Sequence, residues 1–131
     1  MKQEKLTEIL VLAKRIGNLF NDVIDISNQM AEAIDRGDEV SMKMIVAMRG
    51  EPIEKLMIAD RALREQLNTL DAEDSARIRA ILNGEAVQVE DGMEKLLLEQ
   101  AGINIRTYNK LVALDQVINR KVAQDKSIYN R

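Results

Sequence analysis

The stretch "MAEAIDRGDEVSMKM", Met30 to Met44, decides how the chain folds. Its centre is Arg36-Gly37-Asp38, a tripeptide also used as an adhesion signal. Upstream runs a long apolar period; downstream another begins. Glycine after such a run suits the left-handed position that closes a helix. Asp38 is a good N-cap for the next helix, and Glu39 complements its dipole. Two residues between long helices make a tight antiparallel turn. An adhesive loop needs an exposed segment on a secreted protein, and nothing else in the sequence points to secretion. The tripeptide therefore reads as a turn, with Gly37 at positive φ.

Outward from the turn, helix 1 is expected from about Lys5 to Asp35. Leu6, Ile9, Ala13, Ile16, Phe20, Val23, Met30 and Ile34 recur at alternating steps of three and four, with Ser27 as a gap. Leu12, Leu19, Ile26 and Ala33 form a second stripe. So wide an apolar arc requires either a central place in a bundle or cover by a second chain. Helix 2 is expected from about Glu39 to Leu70, with Ile45, Met48, Pro52, Leu56, Ala59, Leu63, Leu67 and Leu70 as its seam. Val40, Met42, Met44, Val46 and Met48 also alternate as a strand would, but Ala, Lys and Met favour helix. "RGEP", Arg49 to Pro52, predicts a kink near Met48 to Glu51, because proline removes a backbone donor and crowds the preceding turn.

A short helix follows. It is capped by Asp71 or Asp74, faced by Ile78, Ile81 and Leu82, and ended by Gly84. Glu85 to Glu90 reads as a loop pinned by Val87 and Val89. Asp91 with Glu94 has the shape of a capping box. The last helix is expected from about Gly92 to Ser127, on Leu97, Ala101, Tyr108, Leu111, Val112, Leu114, Ile118 and Val122. Asn104, Asp115 and Asp125 fall on the same stripe and read as interruptions, and Gly102 as a weak point. The fold class is all-α: an antiparallel helical bundle of three long helices plus a short helix, in a single domain.

Composition narrows the function. The 131 residues are 46% hydrophobic, yet Phe20, Tyr108 and Tyr129 are the three aromatic side chains. Met, Leu, Ile and Val must fill the interior. The formal charge of −3, with mixed signs, lacks the basic stripe of a nucleic-acid binder. It equally lacks the attraction an anionic membrane needs. No apolar run approaches the roughly 20 residues of a membrane span, and the N-terminus lacks a cleavage signal, so a cytoplasmic location is expected. Without His or Cys, zinc sites of that kind and mechanisms needing a His base or Cys nucleophile are excluded. The acid clusters Asp71 to Asp74 and Glu90 to Glu94 sit at helix starts, where carboxylates serve the dipole. Arg61, Arg64, Arg77 and Arg79 alternate with acids and read as a solvated face. No enzyme and no cofactor are expected.

The methionines Met42, Met44, Met48 and Met57 gather in helix 2, with Met30 across the turn. The stronger reading is that they fill the core in place of aromatics. The sharper one is an adaptable surface for an apolar partner helix, with Met44 and Met48 as contacts.

"QMAEAIDRGD" (Gln29 to Asp38), "AMRGEPIEKL" and "ADRALREQL" (from Ala47 and Ala59), "NIRTYNKLV" (Asn104 to Val112) and the closing "SIYNR" together resemble the FlgN-type flagellar export chaperones. The resemblance implies binding without catalysis in the cytoplasm. Clients would be hook–filament junction proteins, whose amphipathic terminal helices are held until delivery to the type III export apparatus. Carried onto this chain, it places client contacts at Asn109, Leu111 and Val112. A loosely packed last helix would suit that role. The alternative is a self-associating helical adaptor or structural protein, with helix 1 buried in a homodimer.

Overall fold

The computed structural model describes residues 3–85 and 87–129. It is all-α, with four helices and no strand among the described residues: α1 (Gln3–Arg36), α2 (Glu39–Asn68), α3 (Ala72–Leu82) and α4 (Gly92–Tyr129). The alternating stretch at Val40 to Met48 is helix. α2 also runs unbroken through Pro52, whose ring is buried.

The α1–α2 turn forms as its residues dictate. Gly37 has φ +67°, and the amides of Gly37 and Asp38 donate to the carbonyls of Ile34 and Ala33 at 3.0 and 2.9 Å. That pair of bonds satisfies two of the carbonyls in the last turn of α1. The Asp38 carboxylate then accepts from the amide and hydroxyl of Ser41, at 3.0 and 2.6 Å. These two bonds hold its pKa below the ordinary value. Both ends of the Arg-Gly-Asp tripeptide thus belong to helix termini. Gly84 repeats the glycine closure at the end of α3, and Asp71, rather than Asp74, caps that helix's start.

Cross-helix bonds fix the directions. Lys5 reaches Gln66, so α2 returns alongside α1. Asn104 reaches Ala13, and Lys121 reaches Asp35, so α4 runs the same way as α1. α1 packs along both α2 and α4, whereas no Cα of α2 comes within 8 Å of one in α4 among the described residues. The wide apolar arc of α1 therefore marks a central helix, one of its two expected settings.

The core has three parts. At the base, Leu6, Ile9, Leu10 and Ala13 of α1 meet Leu67 of α2, Ile78 and Ile81 of α3, and Leu97 of α4. In the middle, Ile16 and Leu19 meet Ala59. At the top, Met30 and Ala33 meet Ile45 and Ile118. α3 packs against α2 and α4 but not against the α1 backbone, so it closes the base of the gap between the outer helices.

Candidate helix-binding trough

Above α3 the gap between α2 and α4 stays open. Its upper limit is a polar crossing. Arg49 of α2 donates to Ser27 of α1 at 3.1 Å and to Asp115 of α4 at 2.7 Å. Ser27, the gap in the α1 seam, is fully buried and satisfied by this bond. Its lower limit is the end of α3, where Gly84 lies against Ile105 so closely that a Cβ would sit 2.8 Å from Cδ1.

Asp115 marks the side of α4 that faces α2. Steps of three and four back from it reach Val112, Tyr108 and Ile105. The same steps along α2 from Arg49 reach Ile53, Met57 and Asp60. Ile105, Tyr108, Val112 and Met57 are all exposed, Tyr108 at 51% and Val112 at 37%, while Ile53 is half-buried. Between Ile105 and Asp115 the trough is about 15 Å long, at 1.5 Å per residue. Its floor includes Phe20, whose ring lies 5.7 Å from that of Tyr108 at 54°.

The expected contact residues separate. Val112 lines the trough, and Asn109 stands exposed on its rim, one turn from both Ile105 and Val112. Leu111 is a correction: at 8% exposure it is core, because a residue one step from Val112 points 100° away, toward α1. Met44 and Met48 lie elsewhere. They flank Ile45 in a shallow groove on the outer side of the α1–α2 pair. At 63% and 52% exposure they do not fill the core, and Met48 leaves the expected seam.

Two expected interruptions of α4 are anchors. Asp115 holds Arg49, and the Asn104 side-chain amide donates to the Ala13 carbonyl at 2.8 Å while accepting from Gln100 at 2.9 Å. Gly17 makes room for this crossing, since a Cβ there would stand 2.4 Å from Asn104 Oδ1. A polar residue on an apolar stripe signals a buried partner as well as a gap, and Gly17 and Ser27 were the matching signals on α1. Asp125 lies among side chains outside the described residues.

At the base, Arg77 leaves the solvated face expected of it. Its guanidinium donates to Glu94 at 2.9 and 2.6 Å and to the Gln88 carbonyl at 2.8 Å. Glu94 is buried and also accepts from the Glu90 amide at 3.0 Å, and its own amide donates to Asp91 at 2.8 Å. Asp91 thus caps α4 as expected, while the return bond of the capping box goes to the Glu90 amide instead of that of Asp91, and the Glu94 carboxylate is shared with α3. The Arg77 bonds hold the Glu94 pKa below its ordinary value against the opposing effect of burial.

No match to this chain was found among protein-family models, curated proteins or solved structures. The trough therefore stands on its geometry. No helix is long and apolar enough to cross a membrane among the described residues.

Proposed function

We propose that this chain is a cytoplasmic flagellar export chaperone, a non-enzymatic protein that binds amphipathic terminal helices of hook–filament junction proteins and prevents their premature assembly. In this reading its three long helices form one antiparallel bundle, with α2 opposed to α1 and α4. The observation that carries the reading is the open apolar trough between α2 and α4. The reading is supported by α3, a helix of this same chain that fills the base of the gap with Ile78 and Ile81. A client helix of about three turns would continue the line of α3, covering Met57, Ile105, Tyr108 and Val112. Such a helix exposes an apolar face until it assembles, and cover prevents aggregation.

The supporting sequence feature is the family resemblance at Asn104 to Val112, the segment that forms one wall of the trough. The bound helix would then be handed to the export apparatus. Co-purification from cells producing this chain and a hook–filament junction protein tests the reading. Retention of the junction protein, lost in Val112→Asp and Met57→Asp, is expected. Failure to retain any junction protein sinks the reading.

A further inference from the structure

A second face, on the far side of α2 from the trough, carries charges with no internal partner. Lys14, Arg15, Asp22 and Asp25 are exposed on α1, and none makes a salt bridge or side-chain hydrogen bond among the described residues. Other exposed charges among the described residues are unpaired too, Arg61 and Lys110 among them, so what sets these four apart is their place in one groove and their order along it. The four line a continuous shallow groove between α1 and α2. Its α2 wall is Met48, Glu51, Pro52 and Lys55, where Lys55 and Glu51 pair with each other at 3.0 Å, and Val11 of α1 at its lower end is 59% exposed.

The order of charges is what selects an occupant. Two cations precede two anions, with Asn18 and Leu19 midway. Reversing α1 about that midpoint sets Arg15 opposite Asp22, and Lys14 between Asp22 and Asp25. The same reversal sets Val11 opposite Ile26, which lines the groove beside Met48. A face that is complementary to its own reversed copy is what an isologous twofold interface requires. A foreign helix has no reason to match this order.

We propose that the outer face of the α1–α2 pair docks a second copy of this chain, antiparallel, about a twofold axis beside Asn18 and Leu19. Each copy's Val11 then covers the other's Ile26 and Met48, and two Arg15–Asp22 pairs set the register. The two hairpins stack as a four-helix layer, leaving both troughs outward. This inference stands apart from the export reading, because no client enters its test.

Sedimentation equilibrium of the full chain, at low and high salt, decides it. The wild type should dimerise, more weakly at high salt. Arg15→Asp and Asp22→Arg should each weaken the dimer about tenfold or more. The double variant should restore it, because the same pairs form with their signs exchanged. Circular dichroism should show unchanged helix content, since both sites are exposed. Should either single variant lose its fold, recovery of dimer in the double variant still reads the pairing. A monomeric wild type overturns the proposal and leaves the face to another partner. A dimer indifferent to both reversals, or a double variant no better than the singles, overturns it too.

Discussion

The base and the middle of this molecule solve the same packing problem in opposite ways. At the base, four helices converge and α3 closes the space between α2 and α4. In the middle only α1 and α2 share a buried cluster, and α4 presents Ile105, Tyr108 and Val112 to the open side. The middle is held instead by polar crossings: Asn104 on Ala13, and Arg49 on Ser27 and Asp115. Apolar closure stabilises without leaving a surface; polar crossings fix helix positions while leaving apolar side chains uncovered. Stability therefore resides at the base, and the uncovered apolar side chains in the middle.

Substitutions should expose the contrast. Leu97→Ala removes a fully buried side chain at the base and should cost about 3–4 kcal/mol in chemical denaturation. Val112→Ala in the middle should cost less than about 1 kcal/mol. Equal losses at the two sites would erase the distinction.

The clamp between α3 and α4 gives the next effect. Glu94→Gln should cost about 1–3 kcal/mol, because it discharges a buried carboxylate bonded to Arg77, whose half-buried side chain can still reach water. The sign with pH follows from the lowered pKa. The Glu94 contribution is fully present above its ordinary value of 4.5 and is lost as pH falls below that, through the folded-state value. Melting temperature against pH should thus fall less steeply in acid for Glu94→Gln than for wild type. Parallel curves would remove Glu94 from the acid response.

A smaller effect than at the clamp belongs to the turn. Gly37→Ala meets no steric neighbour within 4 Å, so its penalty is the positive φ alone, about 1 kcal/mol. A neutral or stabilising result in thermal denaturation would refute the assigned turn conformation.

What the sequence showed and hid follows from the range of the interactions. The Arg-Gly-Asp turn, the Asp91 cap and the helix extents rest on neighbours within one turn, so the local pattern suffices; at the start of α3 that pattern leaves Asp71 and Asp74 both open, and the fold takes Asp71. Leu111 and Val112 are adjacent in sequence, and only the positions of α1 and α2 around α4 decide which is core. Met48 fits a heptad seam by spacing, yet α2 turns Ile45 and Pro52 inward and leaves Met48 outside. Asn104 and Asp115 read as gaps because their partners lie on other helices, far away in sequence. Arg77 likewise finds Glu94 only after the chain has turned at Gly84.

The adjacent pair on α4 gives the most direct test of a stable scaffold carrying a separate binding surface. Binding of a synthetic terminal-helix peptide from a hook–filament junction protein should be measured for Val112→Asp beside Leu111→Asp, with the melting temperature of each. Val112→Asp is predicted to lose the peptide while melting as wild type does, and Leu111→Asp to lose its fold. Full peptide binding by Val112→Asp, or unfolding by it, would contradict the account.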